Sequence, residues 1–94
     1  MIYVITCVDK PGHGEVRKEM RTAHLAYLRG VGDTLFAAGP TLTDDGSTVT
    51  GSVILVDLPD KQTAETFAAN DPYATAGLFE SVTIKAWKKV FPED

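Results

Sequence analysis

Residues 2–8 read Ile-Tyr-Val-Ile-Thr-Cys-Val, and both parities of that run are apolar. Ile2, Val4 and Val8 fall on one side of a strand, and Tyr3, Ile5 and Cys7 on the other. A strand with one face in water alternates apolar and polar residues, so this run predicts a strand covered on both faces. Ninety-four residues make the demand hard to meet. A chain of that length forms one domain, residues 1–94, with one core and little material to cover a sheet twice.

The rest of the chain supplies three more strands and two helices. Asp9-Lys10-Pro11-Gly12 is turn chemistry. Over 15–31, Val16, Met20, Ala23, His24, Tyr27, Leu28 and Val31 fall on one stripe at 100° per residue. Gly30 and Gly32 stop that helix. Thr34–Ala38 reads as a second strand ended by Gly39-Pro40, Asp44-Asp45-Gly46-Ser47 as a turn, and 51–58 as a third strand. A second helix opens at Pro59-Asp60 and runs to Ala69, Asp71-Pro72 interrupts it, and 81–90 reads as the last strand.

The order β-α-β-β-α-β is the ferredoxin-like split unit. The predicted fold is α+β: an antiparallel four-stranded sheet with two helices on one face. No element is left for the other face, which Val and Ile still line. A second copy of the chain is the economical cover, so a homodimer is expected.

Nine Lys and Arg against thirteen Asp and Glu give a net charge of −4, which argues against nucleic acid and anionic lipid as partners. The single cysteine, Cys7, excludes an intrachain disulfide. No apolar run approaches the length of a membrane span, and no secretory leader pattern opens the chain, so a cytoplasmic location is expected. His13, His24 and the acids show no metal-ligand spacing, and no phosphate-binding glycine loop is present. Neither a metal nor another cofactor is expected.

Several residues admit two readings. His24, in the middle of the apolar stripe, is either a neutral imidazole base or a core histidine satisfied by a carbonyl; position alone favours the second. Arg21 and Arg17, one and two turns back, either bind an anionic oxygen or extend to solvent and pair with acids. Asp71 either orients a histidine or only caps the turn that starts at Pro72. Ser52 is a ligand donor or a plain strand residue. Gly39-Pro40 lets a ligand approach the backbone or merely ends a strand. Tyr3, Tyr27, Tyr73 and Trp87 line a pocket or fill the core. Cys7 reads as an inert core residue.

Taken together, Arg21-x-x-His24-Leu25-x-Tyr27-Leu28, Ala38-Gly39-Pro40, Gly51-Ser52, Asp71-Pro72-Tyr73-x-x-Ala76-Gly77-Leu78 and Val82-x-Ile84-x-x-Trp87 resemble the YciI-like family over nearly the whole chain. The resemblance implies a dimeric α+β barrel, related in fold to muconolactone isomerases and small monooxygenases. It implies a His–Asp active site, which falls on His24 and Asp71, with the family's serine at Ser52 and its arginine at Arg21. One branch of the family removes HCl from a chlorinated hydroxyhydroquinone. The expected function is therefore a cofactor-independent lyase or isomerase acting on a small oxygenated, aromatic or chlorinated metabolite. The substrate-binding set is Arg21, Ser52, Gly39, Pro40 and Tyr73. Two alternatives stand beside it: a non-catalytic small-ligand-binding or accessory protein of the same fold, and a cofactor-free monooxygenase. Oxygen consumption would mark the last.

Overall fold

A computed structural model describes residues 1–93. The strands are β1 (Ile2–Asp9), β2 (Leu35–Leu42), β3 (Val49–Asp57) and β4 (Phe79–Trp87); the helices are α1 (Gly14–Gly30), α2 (Lys61–Ala69) and the single turn α3 (Pro72–Thr75). A 3-10 turn at Gly32–Thr34 joins α1 to β2. The sheet order is β2-β3-β1-β4, and each neighbouring pair is antiparallel. This is the ferredoxin-like α+β arrangement, as the element order predicts.

The helices cover one sheet face. Ile5, Cys7, Ile54 and Val56 from the two central strands meet Leu28 of α1 and Phe67 and Ala68 of α2 in one buried cluster. Each large side chain buried there contributes roughly 1.5–3 kcal/mol. Tyr27 bridges the helices: its ring stacks on Phe67 with centroids 5.2 Å apart, and its hydroxyl donates to the Phe67 carbonyl at 2.8 Å. Tyr3 is also core, so neither tyrosine lines a pocket. Asp60 caps α2 by accepting from the Thr63 N–H at 2.8 Å.

The opposite face carries Val4, Thr6 and Val8 of β1 beside Val53 and Leu55 of β3 and Thr83 and Lys85 of β4. Within one chain it is uncovered, and Val8 is 45% exposed. Phe36 and Trp87, from opposite edge strands, approach to 6.0 Å between ring centroids. No described helix is long and apolar enough to cross a membrane.

Several strand boundaries differ from the sequence expectation, and β3 spans Val49–Asp57 rather than 51–58. Gly39-Pro40 does not end β2, which continues to Leu42 and pairs Pro40 with Ser52. β2 is an edge strand with one neighbour, and such a strand tolerates a proline. The last strand starts at Phe79, which pairs with Asp9 past a bulge, and ends at Trp87 rather than residue 90.

Candidate active site

Three charged or titratable side chains project from α1 at Arg17, Arg21 and His24. Spacings of four and three residues place them on one helix face. That face looks onto a cleft of about 330 Å³ between α1, the end of the sheet and α3. Leu25, Leu28, Ala38, Val49 and Ile54 make its apolar wall, and Arg17, Arg21, His24, Gly39, Pro40, Ser52 and Tyr73 also line it.

Asp71 stands behind His24. The residue is 1% exposed, and both of its carboxylate oxygens accept from His24 Nδ1, at 2.9 and 3.0 Å. The same Oδ1 accepts from the Tyr73 N–H at 2.9 Å and so caps α3, with Pro72 at the first helical position. Both readings of Asp71 hold together. The carboxylate is an acceptor only, so in the neutral imidazole the proton sits on Nδ1 and the lone pair is on Nε2. No buried side-chain nitrogen or oxygen lacks a partner among the described residues. Among the described residues His24 Nε2 has no hydrogen-bond partner, so it keeps access to solvent through the cleft.

The segment that holds Asp71 is itself locked. Gly77 has φ 77°, and α3 ends with its N–H on the Ala74 carbonyl and the Leu78 N–H on the Tyr73 carbonyl. That is a Schellman closure, in which glycine takes the left-handed position. Leu78 is fully buried, and its carbonyl accepts from the Lys10 N–H at 2.8 Å, tying α3 to the end of β1. Tyr73 then lies flat on the imidazole, with centroids 3.9 Å apart and planes 14° from parallel. Burial pushes the Tyr73 phenol above its ordinary range, although Arg17 and Arg21 pull the other way.

Arg17 takes the second of the two readings its sequence position allows and pairs with an acid. Its Nε and Nη2 grip both oxygens of Asp9 at 2.8 and 2.9 Å, Nη2 also donates to Ser52 Oγ at 2.9 Å, and its Cζ lies 4.6 Å from the Tyr73 ring centroid. Burial alone would lower the affinity of this guanidinium for its proton, but the hydrogen bond and charge of Asp9, aided by Tyr73, carry the net shift upward. The identity of the acid is what local sequence does not supply, since Asp9 reads only as turn chemistry. Arg21, by contrast, makes no hydrogen bond or ion pair among the described residues and stands at the cleft with its charge uncompensated.

Cys7 lies on the helix side of β1, opposite Ser52. Burial first, and then the Asp71 charge, push its thiol up to about 12, so it holds no thiolate at neutral pH. His13 is a loop residue bonded to the Pro11 carbonyl, and Trp87 belongs to the uncovered sheet face. Among the described residues no three His, Cys, Asp or Glu side chains gather as a metal site.

A sequence model of the YCII-related domain matches residues 1–88. The chain is 38% identical to protein YciI of Escherichia coli over 98 residues, covering 97% of this chain and all of that one. It is 37% identical, with the same coverage, to an uncharacterised protein of Haemophilus influenzae. Among solved structures it superposes with a TM-score of 0.86 on 5-chloro-2-hydroxyhydroquinone dehydrochlorinase (TftG) from Burkholderia phenoliruptrix, in complex with 2,5-dihydroxybenzoquinone. The identity there is 34%, over 94% of each chain.

Proposed function

This chain belongs to the YCII-related family, and from that premise we propose that it is a cofactor-independent lyase or isomerase that works by proton transfer on a small oxygenated ring. One observation carries the reading: an imidazole held on its Nδ1 side by a buried carboxylate, with Nε2 facing a cleft. In this mechanism Nε2 acts on the keto tautomer of the ring, removing a proton from a carbon next to the carbonyl, and Asp71 stabilises the imidazolium that forms. The electron pair moves onto the carbonyl oxygen as an enolate, which the Ser52 hydroxyl and Arg21 stabilise. It then returns to expel a leaving group from the neighbouring carbon, or to take the proton back at another carbon. Elimination releases the leaving group with its electron pair, and His24 gives the proton to water, so the net loss is one acid HX with no oxidant or reductant.

The cleft size suits one substituted ring rather than a larger ligand. Gly39 and Pro40 present a flat backbone edge to that ring, and Tyr73 holds the imidazole plane. The dehydrochlorinase relative acts on such a ring, so a chlorinated hydroxyhydroquinone heads the candidate substrates. The uncovered sheet face, with Val4, Val53 and Leu55, is read as the seat of a second copy.

Purified protein is offered 5-chloro-2-hydroxyhydroquinone, hydroxylated aromatic acids and unsaturated lactones without oxygen, and chloride release and product spectra are followed. Turnover of at least one compound is expected, with His24→Ala lowering kcat by about 10²–10⁴-fold while the circular dichroism spectrum is unchanged. Binding of these compounds with no turnover, or full turnover by His24→Ala, would overturn the proposal.

A further inference from the structure

Ser52 is 3% exposed and lines the cleft, and among the described residues its hydroxyl makes one hydrogen bond, from Arg17 Nη2 at 2.9 Å. A guanidinium has donors only, so the serine oxygen must be the acceptor in that contact. Its own hydrogen then has no acceptor among the described residues. Arg17 cannot turn aside to change this, because Nε and Nη2 are clamped on the two Asp9 oxygens and Cζ lies against Tyr73. Ser52 makes no hydrogen bond with His24, so the base does not reach its proton directly.

We infer that Asp9 and Arg17 are a positioning pair that fixes the Ser52 hydroxyl as a hydrogen-bond donor aimed into the cleft, at an anionic oxygen of the bound ring. This rests on the proposed reading of the site and adds the direction of the serine's bond and the pair that sets it. A free hydroxyl rotates between donor and acceptor directions; the bond from Arg17 excludes the directions toward the guanidinium, so less reorganisation is left for the ligand to impose. The pair also explains how a positive side chain sits inside the apolar arc of α1 without drawing the anion to itself. Its charge is already matched by Asp9, which leaves Arg21 as the uncompensated cation. Ser52 is thereby a stabiliser of substrate charge, and the nucleophile role open to a serine beside a His–Asp pair is not its part.

The test uses 4-nitrophenol, whose colour reports its ionisation, bound to the whole protein. Bound to the unaltered protein, the probe is expected to ionise at lower pH than in water. Ser52→Ala should reverse that shift by about one to two units, the worth of one hydrogen bond to a charged oxygen. Asp9→Leu combined with Arg17→Met replaces the pair by apolar side chains, which a core generally accepts, and thermal melting checks its fold. This variant should lose the same shift, and adding Ser52→Ala to it should change nothing more. His24→Ala should keep the shift while losing turnover, which separates failure of this inference from failure of the lyase reading. Absence of probe binding, a paired variant that keeps the full shift, or a Ser52→Ala effect undiminished in that variant would overturn it.

Discussion

Asp71 has three hydrogen-bond contacts and almost no exposure, so the cost of removing its carboxylate can be worked out. Asp71→Ala strands two donors, the His24 Nδ1–H and the Tyr73 N–H, at a residue that is 1% exposed. A hydrogen bond to a charged group contributes roughly 1.5–3 kcal/mol, and loss of a helix cap about 1 kcal/mol. The sum is about 3 kcal/mol. For a domain of this length each kcal/mol moves Tm by roughly 4–8 °C, so a fall of about 12–24 °C is expected at fixed protein concentration. Asp71→Asn separates folding from chemistry. Its Oδ1 still accepts the Tyr73 N–H, but its amide is a donor toward His24, so the imidazole must accept at Nδ1 and carry its proton on Nε2. Stability then falls by only about 1 kcal/mol, in line with the loss of charge assistance. The base faces the cleft as a donor, and kcat falls with the wrong tautomer. Differential scanning calorimetry reads the first effect, and the ¹⁵N chemical shifts of the ring read the second. Melting of Asp71→Ala within about 3 °C of the parent, or an Asp71→Asn imidazole still protonated on Nδ1, would refute the reasoning.

Gly51 gives a second test: a Cβ there would lie 2.1 Å from the Cys7 carbonyl oxygen, where ordinary contact begins at 3.4 Å. The neighbour is backbone of a central strand, so Gly51→Ala should force β1 and β3 apart and cost about 3 kcal/mol in a urea titration. It should also weaken ligand binding through Ser52; a variant as stable as the parent would show that the strands yield freely. The uncovered sheet face supplies the third. Light scattering should find twice the chain mass, and Val53→Asp, which puts a charge on that face, should halve it without unfolding the chain. A parent protein of single-chain mass would remove the second copy from the picture.

Most of the architecture could be read from residue periodicity because burial is what imposes it. The stripe of α1, the two-sided run of β1 and the turn residues between them suffice for the βαββαβ order. Pro40 reads as the end of β2, yet the strand continues to Leu42, because a missing N–H matters only where a neighbouring strand needs it, and edge position is a property of the whole sheet. The site divides in the same way. His24 and Asp71 stand 47 residues apart, and nothing local tells a cap from an orienting acid. The resemblance pointed to the pair; only folding shows one carboxylate meeting both demands.

The amino-acid order by itself determined the strands, the helices and the helix face that carries Arg17, Arg21 and His24, since each follows from contacts a few residues apart. Only the tertiary structure decided which arginine is matched by Asp9 and which stays uncompensated at the cleft. It also decided that the Ser52 oxygen is an acceptor toward Arg17. Those outcomes depend on which side chains three separate strands and helices bring within 3 Å, and hydrogen bonding acts at that distance without regard to position along the chain.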